Sequence, residues 1–380
     1  DKTLALKFAP AIKELEGLGY PGISDPKLTI TTKVMTSETL KHDSAVQYAL
    51  SKTDNTLKLP EKYNGLGYQN LISMVFDLMG FRDDWMREGK AKDTNTVIEP
   101  MHLVLVEEPE AHLHIQVQQV FIRQAYKVLT NHKFLKQNLN FTTQLVISTH
   151  SSHIAIETTF GNLRYFKRLP EGTECAVATS KVINLSDVFG DSDQTNKFVT
   201  RYLQSTHCDL FFADAAILVE GVAESMLLPH FIRSKFPELY QRYITILGVN
   251  GRHAHRLSPL IEKLCLPTLV ITDLDPAEKE GYHKSVVPKR GEGQISGNYA
   301  IAKWLMKEKD IDKLVDYSED KKEFSFASPY RFSIRLAYQT PVKVDFEGEE
   351  KEAIPGTFED CLIYTNKDLI KKIKVTDSGK

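Results

Sequence analysis

The sequence predicts an α/β fold in two successive units, and two observations support this prediction. The apolar run 102–106 is typical of a strand buried on both faces, and a helical pattern over 113–129 and a second apolar strand over 144–148 follow it. From residue 215 to residue 272, strands alternate with helices. This alternation favours a parallel sheet with right-handed crossovers.

The remaining pattern sets the expected boundaries of the two units. A strand of period two is predicted over 28–34, and a glycine-rich turn at 64–67 precedes a helix over 69–78. We expect the first domain to cover 1–180, with a linker over 181–213. The second domain is expected to cover 214–380, with a polar, helical insertion at about 277–330.

Composition excludes several classes of protein. The 380 residues are 42% hydrophobic and 26% charged, and their formal net charge of -2 gives no overall signal for nucleic acid, although it does not exclude it. No apolar run approaches the roughly 20 residues that cross a bilayer. The four cysteines form no CxxC pair, which indicates a reducing cytoplasm and argues against a cysteine-based zinc site.

The first group of candidate residues suits nucleotide chemistry. Glu107 and Glu108 follow an apolar strand, where one carboxylate can hold Mg²⁺ and the next can polarise a water. His150 ends the second apolar strand, within reach of a phosphate. Gly65 and Gly67 precede a helix, whose first backbone N–H groups form an anion site. Taken singly, a Glu pair after an apolar strand is usually a solvated strand end, and a histidine such as His150 is more often a capping or surface residue.

The order of these segments resembles the signature, Walker B and H-loop segments of ABC-type ATPases of the Rad50/SMC kind. The wording EEPEAHLH at 107–114 is especially close to that family. The resemblance implies that Glu107 is the metal-side carboxylate, that Glu108 is the general base, and that Gly65 and Gly67 reach the nucleotide of a partner subunit. The sequence contains no GxxxxGK[ST] phosphate cradle. We expect that motif to lie upstream in a longer protein, and this chain alone not to hydrolyse ATP.

The second group of candidate residues is acidic. Glu220 ends the strand 215–220, and Glu224 lies one helical turn later. Asp273 and Asp275 follow the strand 268–272 and, in an extended chain, would point the same way. Parallel strands end on one edge of a sheet, so we expect these carboxylates to meet there. Such crowding of negative charge is tolerable when divalent cations neutralise it, and all-oxygen ligands favour Mg²⁺ or Mn²⁺ over Zn²⁺.

Structural alternatives remain open for each of these residues. Glu220 can stabilise a helix N-terminus through the macrodipole, and Asp273–Asp275 can initiate a turn. His253 and His255 fit a metal ligand, a loop residue or a phosphate contact. A basic cluster over 284–290 fits either a phosphate-contacting loop or a solvated surface.

A strand ending in Glu-Gly and a later strand ending in Asp-x-Asp resemble the Toprim domain of topoisomerases, DnaG-type primases and OLD (overcoming lysogenization defect) nucleases. An ABC-type half-domain followed by a Toprim domain resembles the C-terminal portion of OLD nucleases of class 2, the Gabija-like type. By that likeness Glu359, beside Thr357, completes the metal site, and Lys380 matches a lysine that the family uses late in the chain. Lys371, Lys372 and Lys374 compete with Lys380 for that role.

The resemblance implies a metal-dependent DNA endonuclease that uses two Mg²⁺ or Mn²⁺ ions and is regulated by an ATPase, with ATP bound in the full-length protein. It implies DNA as substrate, a homodimer or higher homo-oligomer, a UvrD-like helicase partner, and a role in anti-phage defence or DNA repair. The alternative is a nucleotide-controlled DNA-binding protein of the SMC/RecF type with a non-catalytic Toprim fold. The DNA-gate domain of a topoisomerase and the template- and NTP-binding modules of a primase are not recognisable in the sequence.

Overall fold

The chain divides into two compact units, Asp1–Thr158 and Thr159–Lys380, and each is described by itself. The structure is a computed structural model that describes residues 2–17, 27–33, 43–49, 58–60, 65–88, 97–169, 171, 176–186, 188, 202–203, 208–249, 253–279, 284–327, 330–346 and 348–367. The domain boundary expected at residue 180 and the linker expected over 181–213 stay predictions. By its contacts, the antiparallel pair β6 (Arg164–Leu169) and β7 (Thr179–Asn184) belongs to the second unit.

The first unit combines an antiparallel sheet with a parallel strand pair and helices. Its elements are α1 (Lys2–Gly17), β1 (Lys27–Lys33), β2 (Asp43–Ala49), β3 (Lys58–Pro60), α2 (Leu66–Trp85), β4 (Met101–Glu107), α3 (Ile115–Thr130), α4 (Lys133–Gln137), β5 (Thr142–Ser148) and α5 (Ser152–Ile156). The strands β1, β2 and β3 pair antiparallel, whereas β4 and β5 pair parallel. The strands predicted over 28–34, 102–106 and 144–148 and the helices predicted over 69–78 and 113–129 are thus all present, within a few residues.

The core of the first unit lies on one face of the β4–β5 pair. Val104 of β4 is buried among apolar side chains of α1, α2 and α3. The neighbouring residues Leu103 and Leu105 point to the opposite face and are 53% and 69% exposed. The prediction that this strand is buried on both faces is therefore wrong for the described chain. The apolar run alone could not reveal that helices cover only one side.

The second unit is a five-stranded sheet flanked by helices. Its main elements are β8 (Ala215–Val219), α6 (Val222–Lys235), α7 (Pro237–Tyr240), β9 (Ile244–Gly248), α8 (Ser258–Leu264), β10 (Thr268–Ile271), β11 (Pro276–Ala277), β12 (Ile295–Ser296), α9 (Ile311–Asp316), β13 (Glu323–Phe326), β14 (Phe332–Ala337), β15 (Val342–Phe346), β16 (Glu349–Ala353) and α10 (Phe358–Thr365). The alternation of strands and helices predicted over 215–272 is confirmed.

The strand order β13-β14-β10-β8-β9 places β8 and β10 side by side, although β9 lies between them in sequence. The strands β14, β10, β8 and β9 are parallel, and β13 joins the edge antiparallel. Leu218 and Val219 in β8 are fully buried, as expected for a central strand covered on both faces. The carboxyl ends of β8 and β10 therefore meet at the same edge of the sheet.

The segment predicted as a helical insertion at about 277–330 is mixed in structure. It contains the short helix α9 and a π-helical turn at Ala300–Trp304, but also β12 and the sheet strand β13. The chain thus returns to the main sheet before residue 330. Of the helices that the structure describes, none combines the length and the apolar composition needed to cross a bilayer.

A close approach in the first unit explains one of the two glycines at the start of α2. A Cβ atom on Gly67 would lie 2.5 Å from the backbone oxygen of His112, whereas a Cβ on Gly65 would meet nothing within 4 Å. The side-chain amide of Asn70 also donates to the backbone oxygen of Ala111 at 3.2 Å. The start of α2 is therefore packed against the turn that follows Glu108.

We predict that Gly67→Ala destabilises the first unit by about 1–3 kcal/mol, because the added methyl group overlaps a backbone atom that cannot move without disturbing the turn. Urea unfolding followed by circular dichroism measures the change. Gly65→Ala is the matched control and is expected to cost less than about 1 kcal/mol. Equal effects of the two substitutions would show that this close approach is unimportant.

Candidate functional site

The ends of β8 and β10 are joined through hydrogen bonds to Glu220. This residue directly follows β8, and its carboxylate accepts hydrogen bonds from the hydroxyl of Thr272 and from the backbone N–H of Asp273. Thr272 and Asp273 are the first two residues after β10. The sequence-based expectation that Glu220 and Asp273 come together at one edge of the sheet therefore agrees with the geometry.

Glu224 reaches the same region from the first turn of α6. It is 4% exposed, and its Oε2 would lie 2.7 Å from a Cβ atom on Gly221. The carboxylate therefore folds back over the backbone at Gly221, in a space that any side chain there would take. Its charge acts on Asp273, so Glu220, Glu224 and Asp273 form part of one electrostatic cluster.

Asp275 joins this cluster by a different route from the one predicted. The strand β10 ends at Ile271, and Asp275 has a left-handed backbone with φ of 47°. The expectation that Asp273 and Asp275 project from an extended strand is therefore wrong. Asp is one of the few non-glycine residues that adopt this conformation readily, and its charge still acts on both Glu220 and Asp273.

Two buried amides hold the acidic side chains, and sequence analysis missed Asn298 entirely. Gln339, 6% exposed, accepts the backbone N–H of Leu274 at 2.9 Å and donates from its amide nitrogen to Asp273. Asn298, 0% exposed, donates to Glu220 Oε1 at 2.6 Å and to Asp275 Oδ2 at 3.0 Å. No local pattern in the sequence marks Asn298.

Burial and the charges of neighbouring acids make the carboxylates of Asp273 and Glu220 hard to ionise. The pKa of Asp273 is raised to about 7, mainly by burial; the charges of Glu220, Asp275 and Glu224 add to this shift, and the hydrogen bond from Gln339 opposes it. Burial also raises the pKa of Glu220, the hydrogen bonds from Thr272, Asn298 and the Asp273 backbone oppose the shift, and the charge of Asp275 adds to it. The hydrogen bonds that Glu220 and Asp273 accept from the described residues come from neutral groups, namely Thr272, Asn298, Gln339 and a backbone N–H.

The chemistry of this donor set fits a hard divalent cation, since carboxylate oxygens are the ligands that Mg²⁺ and Mn²⁺ prefer. The geometry is more open than a finished coordination sphere. Within the part of the chain that the structure describes, no group of three or more His, Cys, Asp or Glu side chains is arranged to hold a metal ion as it stands. The four carboxylates would have to close further on a bound cation.

The remaining site residues predicted for this unit are Glu359, Thr357 and the lysines near the end of the sequence. Glu359 is exposed in the first turn of α10, a helix that packs against α6. The hydroxyl of Thr357 caps α10 by accepting the backbone N–H of Asp360, so its visible role is structural. Lys380 and its competitors Lys371, Lys372 and Lys374 lie outside the described residues.

The histidine and basic candidates have structural contacts. The ring of His255 packs edge-on against Tyr299, with 5.2 Å between ring centroids. Arg290 forms ion pairs with Asp316 at 2.8 Å and with Glu352 at 3.0 Å. These pairs engage Arg290 within the protein and weaken the interpretation of the basic cluster as a phosphate-contacting loop.

The nucleotide motifs of the first unit also converge. Glu107 ends β4 opposite Ser148, and the next residue, Glu108, has a left-handed backbone with φ of 44°. The carboxylate of Glu108 lies 3.3 Å from Nε2 of His150, and both side chains are more than half exposed. The strand pairing of β4 and β5 thus brings the predicted Walker B and H-loop residues together at one sheet edge.

Two family models match the chain. One, described as an AAA ATPase domain, matches residues 2–155, and the other, described as the Toprim domain of overcoming lysogenization defect protein-like proteins, matches residues 211–275. The chain joins an ATPase domain to an OLD-like Toprim domain. The domain content predicted from the resemblance is therefore confirmed, with the ATPase described as AAA.

Curated relatives are similar to the chain over parts of their length. "Endonuclease GajA" of Bacillus cereus strain HuB5-5 is 28% identical over 342 residues, which are 84% of this chain and 45% of the relative. A protein of the same name from Bacillus cereus strain VD045 is 24% identical over 220 residues, which are 58% of this chain and 33% of the relative. The chain therefore spans less than half the length of these two relatives.

Among solved structures, a chain from work on ATP-driven dimerization and DNA-stimulated activation of SMC ATPases matches 48% of this chain and 89% of its own length. The identity is 10% and the TM-score is 0.25. At that score the two chains do not share an overall fold.

We predict that Asp273→Asn stabilises the metal-free Toprim domain at pH 8, because it removes a carboxylate that is costly to ionise when folded. An acid whose pKa rises from about 3.9 unfolded to about 7 folded contributes stability below pH 4 that is lost as the pH rises through 7. After allowance for partial exposure, the gain is on the order of 1–3 kcal/mol. Thermal unfolding in EDTA measures it, and the gain should shrink as the pH falls to 5. A loss of stability at pH 8 would contradict the repulsion described above.

We predict that Gly221→Ala moves the Glu224 carboxylate while changing the free energy of unfolding by less than about 1 kcal/mol. The reason is that the added Cβ meets the end of a flexible side chain rather than the backbone. Mn²⁺ affinity, measured by calorimetry, should therefore fall although the protein stays folded. Gly161→Ala, where a Cβ meets nothing within 4 Å, is the control and should bind Mn²⁺ as the unaltered chain does.

Proposed function

We propose that this chain contains the nuclease centre of a metal-dependent endonuclease that hydrolyses phosphodiester bonds in DNA. The observation that carries the proposal is the cluster of carboxylates at the joined ends of β8 and β10, where the charges of neighbouring acids help to raise the pKa of Glu220 and of Asp273. Mg²⁺ or Mn²⁺, as two ions, is the proposed cofactor, with Glu220, Glu224, Asp273 and Asp275 as ligands. An OLD-like Toprim domain over the same residues supports this assignment.

The protein's part in the reaction is to hold charge in place. A cation bound here would polarise a water molecule and offset the negative charge of the phosphodiester in the transition state. Glu220 and Asp273 provide the oxygen atoms for it, while Gln339 fixes the orientation of Asp273. Glu224 is buried, whereas Glu220, Asp273 and Asp275 are partly exposed, so water can reach the proposed ligands.

Two further residues belong to the proposed nuclease centre. Glu359 lies in the first turn of α10, which packs against the helix that carries Glu224, and we propose it as a further metal ligand. Lys380 is proposed as a catalytic lysine on the resemblance alone, in competition with Lys371, Lys372 and Lys374.

We further propose that the ATPase domain regulates cleavage in a longer protein. The curated relatives are named endonucleases, and the chain corresponds to 45% and 33% of their lengths. In this proposal, the longer protein binds ATP through Glu107, Glu108 and His150, and Gly65 and Gly67 contact the nucleotide of a partner subunit. The protein would self-associate and would act with a UvrD-like helicase. It would work in the cytoplasm, in anti-phage defence or DNA repair. Since the sequence has no GxxxxGK[ST] motif, we expect no ATP turnover by this chain alone.

The second candidate is a nucleotide-controlled DNA-binding protein of the SMC/RecF type in which the Toprim fold is not catalytic. The observation that favours it is the open geometry of the acidic cluster, in which no three described His, Cys, Asp or Glu side chains converge on a metal position. Metal-dependent cleavage separates the two candidates, because the second requires DNA binding without hydrolysis.

We predict that the chain nicks or linearises supercoiled plasmid DNA with Mg²⁺ or Mn²⁺ but not in EDTA. Asp273→Ala should lower the rate on the order of 100-fold or more, because it removes a ligand from the acidic cluster. Asp320→Ala, which removes an exposed acid from a different part of the unit, is the control and should cleave normally. Cleavage that persists in EDTA or in Asp273→Ala would contradict the nuclease proposal, and metal-independent DNA binding without cleavage would favour the second candidate.

A further inference from the structure

Asn298 is the most deeply buried polar residue next to the acidic cluster. It follows β12 by two residues, and none of its surface is exposed. A buried amide without hydrogen bonds would destabilise the folded protein, because burial removes its hydrogen bonds to water. The hydrogen-bond partners of Asn298 therefore explain why an amide is placed there.

The orientation of the Asn298 amide follows from its neighbours. Its side-chain oxygen accepts the backbone N–H of Ala300 at 3.0 Å, and a backbone N–H can only donate. The amide nitrogen must then be the atom that faces the acids. It lies 2.6 Å from Glu220 Oε1, 3.0 Å from Asp275 Oδ2 and 2.8 Å from the hydroxyl oxygen of Thr272.

The backbone around Asn298 is tied to the same loop. Gly297 donates its backbone N–H to the carbonyl oxygen of Asp275 at 2.8 Å. Ser296 donates its backbone N–H to the carbonyl oxygen of Lys309 at 2.7 Å, and its hydroxyl oxygen accepts the backbone N–H of Asn298 at 3.2 Å. These bonds fix the position of the amide relative to the left-handed turn at Asp275, so its contacts with the acids follow from the fold.

A neutral donor has a particular effect between two carboxylates. A lysine or arginine at this position would also satisfy both oxygens, but its charge would cancel part of the field that attracts a cation. The amide holds the carboxylates through hydrogen bonds and adds no positive charge of its own. Glu220 comes from the end of β8 and Asp275 from the loop after β10, so one nitrogen atom links the two halves of the cluster.

We propose that Asn298 is a positioning residue, which holds Glu220 and Asp275 together through its amide nitrogen so that both carboxylates bind one divalent cation. This inference rests on the proposed metal-dependent function and adds to it a residue of the segment 277–330. Asn298 itself contacts neither the cation nor the substrate in this proposal. Its effect on cation binding is exerted through Glu220 and Asp275.

The test measures Mn²⁺ binding directly, from the EPR signal of the free ion, for the full chain with Asn298→Ala or Asn298→Ser. We expect each variant to weaken Mn²⁺ binding about tenfold or more, as other residues that orient metal ligands do. Asn184→Ala, at an exposed strand end of the same unit, should bind as the unaltered chain does. Thermal unfolding in EDTA establishes that the variants are folded.

A double-mutant cycle distinguishes positioning from a structural role. If Asn298 acts through Glu220, Asn298→Ala should have less than about a twofold further effect on Mn²⁺ affinity in a Glu220→Gln background. An undiminished effect in that background, normal Mn²⁺ affinity in the folded variants, or failure of both variants to fold would overturn the proposal. Failure of the nuclease proposal has a different result: the unaltered chain then binds no Mn²⁺ and cleaves no DNA.

Discussion

The second unit depends on the close approach of two strand ends that both carry negative charge. Glu220 accepts the backbone N–H of Asp273, and the charges of Glu224 and Asp275 act on the same residue. Such an arrangement costs free energy in the absence of a cation, because burial removes the water that would otherwise screen the charges. The arrangement does not stabilise the fold, and we propose that its function is to bind a cation.

The sheet topology makes this approach unavoidable. The chain places β9 at one edge and then returns to put β10 beside β8, so two parallel strands from different parts of the sequence end at the same edge. The backbone fits the side chains closely there. Gly221 leaves room for the Glu224 carboxylate, and the left-handed turn at Asp275 directs its side chain toward the partners of Glu220.

Much of this could be predicted from the sequence, because it follows from rules about neighbouring residues and parallel strands. The positions of β8, β10 and α6 follow from hydrophobic patterning, and the meeting of Glu220 with Asp273 follows from the parallel sheet. A turn at Asp273–Asp275 was one of the open alternatives, but its left-handed form at Asp275 and the contacts of Asn298 could not be predicted, since neither follows from a local pattern or from strand pairing. The exposed face of β4 has a similar explanation, because an apolar run does not say which surfaces cover it.

The most direct test of the central claim is a crystal structure of the chain soaked with Mn²⁺, in which anomalous scattering locates the ions. The account predicts an ion bound by oxygen atoms of both Glu220 and Asp273, at metal–oxygen distances of about 2.0–2.3 Å. It also predicts that Glu224 and Asp275 lie closer to that position than in the metal-free chain. Well-ordered crystals that bind Mn²⁺ elsewhere, or that leave these carboxylates without an ion at millimolar Mn²⁺, would contradict it.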